Sequence, residues 1–231
     1  MLYNAMGILS SVMFLGCLFG LVKQYRQINQ RKLTAKELSK GLGFATQSLS
    51  VNNFFSSFIG FYAFFVYSMM LQDVDYYLFV TRLLAALATM VILYEVFLDR
   101  AQLSQKLPFL SAVAAMLIAF ICFEFREHLL TVGRSVASIL AVGATFIIFQ
   151  GGVQQIRKIR KEKTTGALSL SMNVIFMGKD LSNLAFGFVL GFADGWPLIL
   201  IGSVSSIVKL ITIWQFRVYG AKTIDTKLKS A

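Results

Sequence analysis

Histidine occurs once, and proline and cysteine twice each, in this chain of 231 residues, while acidic residues are half as numerous as basic ones, 11 against 22. Each scarcity excludes something. The lone histidine, His128, has no metal-ligand cluster, nucleophile motif or phosphate-binding glycine loop to work with. Neither an enzyme nor a metal or other cofactor is therefore expected. Cys17 and Cys122 both fall inside apolar runs, which argues against a disulfide framework.

Charge is also missing from long stretches, and those stretches define the class. Hydrophobic residues make up 57% of the chain, mean hydropathy is +0.69, and there are 22 phenylalanines. A soluble domain of this size cannot cover so much apolar surface. The apolar residues come in blocks of about 20, the length that crosses about 30 Å of hydrocarbon at about 1.5 Å per residue. The blocks cover residues 2–22, 49–71, 76–98, 107–123, 135–150, 168–191 and 197–217. They predict an all-α membrane protein with seven transmembrane helices. No basic residue precedes the first block and no small-residue cleavage site follows it, so it reads as an uncleaved span and not as a signal peptide.

The formal net charge of +11 raises the question of a nucleic-acid partner. Its distribution answers no. Six basic residues follow the first block (Lys23, Arg26, Arg31, Lys32, Lys36, Lys40) and two the third (Arg100, Lys106). Five follow the fifth (Arg157, Lys158, Arg160, Lys161, Lys163) and four the seventh (Arg217, Lys222, Lys227, Lys229), so seventeen of 22 fall on one side of a seven-span chain. The other side holds Arg126 and Arg134 beside Asp73, Asp75, Glu124, Glu127 and Asp194. This asymmetry is the positive-inside pattern and places the N-terminus outside and the C-terminus in the cytoplasm. Thr34 and Glu37 have capping-box spacing, which predicts a short basic helix containing Lys36, Leu38 and Lys40. That turn either rests on anionic lipid headgroups or forms a solvated loop. No Asn-x-Ser/Thr sequon and no lysosomal sorting tail is present, which favours a bacterial inner membrane over an organelle membrane.

The chain also resembles itself. An offset of 119 pairs Leu49-Ser50-Val51 with Leu168-Ser169-Leu170, Tyr67 with Phe186, Asp75 with Asp194 and Phe97 with Phe216. Upstream, Gln27-Ile28 and Gln155-Ile156 correspond at an offset of 128. One helix separates the halves, so both enter the membrane in the same sense, a 3+1+3 parallel repeat. The expected division is a first triple-helix bundle over 1–100, a linker helix over 101–130, and a second bundle with a short tail over 131–231.

At this point a family resemblance emerges. Gln154-Gln155-Ile156, a six-residue basic loop, and Lys163-Thr164-Thr165-Gly166-Ala167-Leu168-Ser169 resemble the PQ-loop signature. The run to Phe186-Gly187 and then Asp194-Gly195-Trp196-Pro197 is similar to the family's continuation, and the match is better in the second half than in the first. The superfamily includes SWEET sugar transporters, cystinosin-like amino-acid transporters and, more distantly, the KDEL receptor. The resemblance implies a central substrate site, alternating access by rocking of two bundles, and gating near Gln27 and Gln155. It departs in one respect. The signature's proline is replaced by Arg26 and Gln154, and Pro108 and Pro197 lie elsewhere. Gly151-Gly152 supplies local softness beside Gln154 in the second half only.

Ionisable and amide side chains inside the spans are the candidate substrate contacts, because burying them is expensive. Lys179 and Asp180 lie near the centre of the sixth block, where Asn173, Asp180 and Asn183 share one helical stripe. Asn53, with Ser57 and Gly60, forms a weaker stripe in the second; Arg82 lies in the outer part of the third and Lys209 past the middle of the seventh. The resemblance puts Asn183 at the level of the family's central pocket. The alternative for Lys179 and Asp180 is a charge pair that only fixes helix packing. Glu95 and Gln150, near cytoplasmic ends, are explained by headgroup contact, and Trp196 and Trp214 by the interfacial belts. Arg82, Lys179 and Lys209 against Asp180 leave about two positive charges, which suits an acidic or zwitterionic cargo better than a neutral sugar. The expected function is transport of such a small solute, with a membrane receptor or a lipid-handling protein of the same fold as alternatives. Partners are then the solute, the bilayer and, without any specific signature, a second copy of the chain.

Overall fold

The computed structural model describes residues 1–37, 45–46, 51–163 and 170–228. Among them seven helices follow one another and no strand occurs: α1 (Leu2–Glu37), α2 (Val51–Met69), α3 (Tyr76–Asp99), α4 (Leu103–Glu124), α5 (Arg126–Glu162), α6 (Leu170–Val189) and α7 (Phe192–Leu228). Five of them, α1, α3, α4, α5 and α7, contain stretches long and apolar enough to cross a membrane, and α2 has a shorter apolar stretch, Phe54–Met69. Large apolar side chains such as Val12, Leu117, Ile121, Ile139, Phe146 and Leu210 are exposed. Water would not tolerate that surface, whereas lipid hydrocarbon accepts it. The chain is a multi-pass integral membrane protein.

The apolar blocks recur as helices, but α1 and α5 run well past the ends the hydropathy marked. One expectation fails here. Thr34 does not cap a separate helix: it lies inside α1, and its Oγ1 donates back to the Gln30 carbonyl at 3.2 Å. The helix never breaks at Thr34, so there are no free amides for the hydroxyl to cap. Leu38 and Lys40 lie outside the described residues.

Two compact units divide the chain, Phe14–Ala144 and Met1–Met13 with Thr145–Ala231. In the first, α2, α3 and α4 pack on one another around Phe58, Phe65, Tyr67, Met69, Leu93 and Met116. Ala112, Met116 and Ala119 recur at helical spacing along the buried face of α4. The Tyr62 hydroxyl donates to the Ala115 carbonyl at 3.0 Å. Asp75 caps α3 by accepting from the Leu78 amide at 2.9 Å. Beside it, the Arg126 guanidinium donates to the carbonyls of Met69, Leu71 and Gln72, satisfying the open end of α2.

In the second unit α6 and α7 form a tight hairpin. Gly191 turns the chain with φ +84°, a left-handed conformation that favours glycine. Its neighbour Gly195 brings the backbones together: a β-carbon there would lie 1.8 Å from the Gly187 carbonyl oxygen. Such small-residue contact is how membrane helices approach closely without a hydrophobic driving force between them.

Candidate functional site

The hairpin folds back about residue 192, so positions on α6 and α7 equally far from the turn face each other. Phe176 meets Lys209, Asp180 meets Ser205, Leu184 meets Gly202 and Gly187 meets Gly195. Polar side chains at the middle of α6 therefore acquire partners from the middle of α7.

A cluster results. Lys179 Nζ lies 2.7 Å from Asp180 Oδ1, with Lys179 one-fifth exposed and Asp180 almost fully buried. Asp180 Oδ2 accepts from Ser205 Oγ at 2.5 Å. Both carboxylate oxygens thus have donors within the protein, as a buried carboxylate requires. The Lys209 ammonium stands 5.3 Å from the centroid of the Phe176 ring, and that of Lys179 stands 6.0 Å from the same centroid. One aromatic ring attracts two cations. One turn beyond Asp180, the buried Asn183 accepts through Oδ1 from Ser10 Oγ of α1 at 2.8 Å. Asn173 is buried on the same stripe, and the buried Ser206 hydroxyl finds no hydrogen-bond partner among the described residues.

Of the predicted substrate contacts, Lys179, Asp180, Asn183 and Lys209 thus fall in one unit. Arg82 belongs to the other. It is buried on α3 with its guanidinium 3.6 Å from the centroid of the Phe14 ring, which meets Phe61 edge-on at 5.6 Å. Its Nη1 donates to Thr81 Oγ1 at 3.3 Å. Asn53 lies in the first turn of α2, and its side chain falls outside the described residues. Glu95 corrects an expectation: it does not face headgroups but is buried and ion-paired with Lys32 of α1. The long α1 helix reaches back to it, which hydropathy alone does not reveal.

The gating candidates lie on uninterrupted helices. Gln27 and Gln155 are exposed, and each precedes a buried isoleucine, Ile28 or Ile156. A β-carbon on Gly151 would meet nothing within 4 Å, whereas one on Gly152 would lie 2.3 Å from Val208 Cγ1 of α7. Gly152 is therefore a packing contact against α7. Gln215 Nε2 of α7 donates to the Ile156 carbonyl at 3.4 Å. Residues 164–169 of the PQ-loop-like stretch lie outside the described residues.

Sequence reasoning did not single out Ser10, Phe14, Phe176 or Ser205, nor a clamp at Thr46. Asp99 Oδ2 accepts from both the amide and the hydroxyl of the buried Thr46, at 2.8 and 2.7 Å. Arg100 Nε donates to the same hydroxyl at 3.0 Å, and Arg100 Nη2 donates to the Thr46 carbonyl. The adjacent acid and base Asp99-Arg100 were the available signal. Ser205 and Phe176 were legible in principle from the fold-back about residue 192.

These features define a helical membrane protein with a buried ionic cluster in one helix hairpin. Its fold is that of a eukaryotic SWEET transporter of known structure, matched with a TM-score of 0.68 over 95% of this chain and 97% of that one, at 9% sequence identity. No family model matches the sequence, and no curated protein matches it.

Proposed function

We propose that the chain is a membrane transporter that moves a small acidic or zwitterionic solute by alternating access. The observation that carries this reading is the Lys179–Asp180 pair at mid-length of α6 in a chain of SWEET fold. Ionised groups at that depth are costly, and membrane proteins hold them mainly along solute or ion pathways. In this reading two triple-helix bundles, residues 1–100 and 131–231, rock about a linker over 101–130, as a parallel repeat allows. The ends of the elements support the repeat: α2 ends at Met69 and α6 at Val189, 120 residues later. Lys179, Asp180, Asn183 and Lys209 contact the solute from the second half, and Asn53 and Arg82 from the first. Gln27, Gly151, Gly152 and Gln155 form the gating region. The basic loops face the cytoplasm.

Counterflow in proteoliposomes tests the proposal. Purified chain, preloaded with a panel of sugars, amino acids and organic anions, exchanges at least one labelled member, and Asn183→Ala abolishes the exchange. Saturable binding with no flux for any solute overturns transport in favour of a receptor.

A further inference from the structure

Two buried side-chain atoms have no hydrogen-bond partner among the described residues, Ser206 Oγ and Gln215 Oε1, and both belong to α7. Gln215 is anchored through its amide nitrogen to the Ile156 carbonyl. Ser206 has no such anchor. A hydroxyl inside a helix ordinarily donates to the carbonyl one turn earlier. Several in this chain do so: Thr81 to Tyr77 at 2.7 Å, and Thr89 to Ala85, Ser138 to Arg134 and Thr212 to Val208, each at 2.8 Å. The Ser206 hydroxyl forgoes that bond although only 6% of the residue is exposed. A buried hydroxyl held in this way lowers stability, and alanine in its place would not. The fold alone gives no reason for a serine here.

Its place in the hairpin gives one. Ser205 meets Asp180 and Lys209 meets Phe176, so Ser206, between them on α7, lies at the level of the Lys179–Asp180 pair. One turn earlier, a β-carbon on Gly202 would stand 3.0 Å from the Asp180 carbonyl oxygen, so this side of α7 runs against α6. Asp180 does not need the Ser206 proton, because Ser205 and Lys179 already serve its two oxygens. A carboxylate that leaves water requires hydrogen-bond donors, and a hydroxyl donating to an anion makes a bond about twice as strong as one to a neutral acceptor. Resting on the transport reading above, we propose that Ser206 is a solute-binding residue whose hydroxyl donates to a carboxylate oxygen of the solute beside the Lys179–Asp180 pair.

Thermal unfolding of the full chain in detergent tests this in two arms. Without solute, Ser206→Ala melts at or above the wild-type temperature, whereas Ser205→Ala, which takes a donor from Asp180, melts below it. A clear loss of stability in Ser206→Ala shows that the fold itself uses the hydroxyl and overturns the proposal. In the second arm, lactate, alanine and glutamate are titrated as probes, and binding is read by mass action. At least one raises the wild-type melting temperature, and Ser206→Ala weakens that probe by about tenfold or more, the range for one hydrogen bond to a charged group. Equal affinity in the variant overturns the proposal, and so does stabilisation by none of the three. Counterflow separates this failure from failure of the transport reading. Flux that is unchanged in Ser206→Ala removes the role of Ser206 and leaves transport standing, whereas Ser206-dependent binding without flux does the reverse.

Discussion

Ser205 donates to one oxygen of Asp180 across the α6–α7 hairpin while Lys179 holds the other, so a single carboxylate ties two helices and one cation together. Every member of that arrangement is defined by what the others leave unsatisfied.

Asp180→Asn keeps the side chain's shape and strands the charge of Lys179 in a largely buried site. Removing one partner of such a pair costs about 2–4 kcal/mol, less than a fully buried pair because Lys179 retains some exposure. The expected result is a lower melting temperature in detergent for Asp180→Asn, and recovery of most of the loss in Lys179→Gln/Asp180→Asn. Equal melting temperatures for the single and double variants would show that the pair does not stabilise the hairpin.

The Ser10–Asn183 hydrogen bond joins the start of α1 to α6 inside one unit. A double-mutant cycle with Ser10→Ala and Asn183→Ala is expected to give a coupling of about 1 kcal/mol in unfolding free energy. Strict additivity of the two losses removes this bond from the account.

Gly195 and Gly151 are expected to respond in opposite ways. Gly195→Ala forces a β-carbon onto the Gly187 carbonyl and sharply lowers the yield of folded protein. Gly151→Ala meets nothing and raises stability by about 0.5–1 kcal/mol, since alanine loses less freedom in a helix than glycine. If Gly151 also softens the gate, the same variant slows counterflow. Unchanged flux in a stabilised Gly151→Ala protein rules out that gating role.

Thr46→Val deletes the hydroxyl that donates to Asp99 and accepts from Arg100. A buried hydroxyl with two partners contributes about 1–2 kcal/mol, and its loss leaves both ions short of a contact. Faster amide hydrogen exchange at the end of α3, with α6 and α7 unaffected, is the expected signature. Uniform exchange changes across the chain would mean the clamp is not local.

Much of this molecule was legible because a bilayer imposes its own ruler. Blocks of apolar residues found the helices, and the polar residues inside them marked Lys179, Asp180 and Asn183. The ends of α1 and α5 were not legible, because beyond the hydrocarbon a helix continues in polar sequence and leaves no hydropathy signal. That is why Thr34 reads as a cap and sits in a helix interior, and why Glu95 looks interfacial yet pairs with Lys32. Ser205 depends on a hairpin register that Gly191 sets. The stacking of Arg82 on Phe14 depends on how α1 meets α3, a long-range fact that no spacing within either helix encodes.

The glycine contact between α6 and α7 has a mechanical consequence. Where Gly195 meets the Gly187 carbonyl, no side chain lies between the backbones to act as a bearing, so neither helix can slide or roll past the other. The pair behaves as one stiff lever. Phe176, Lys179, Asp180, Ser205 and Lys209, all carried on this pair, are thereby held in one fixed arrangement.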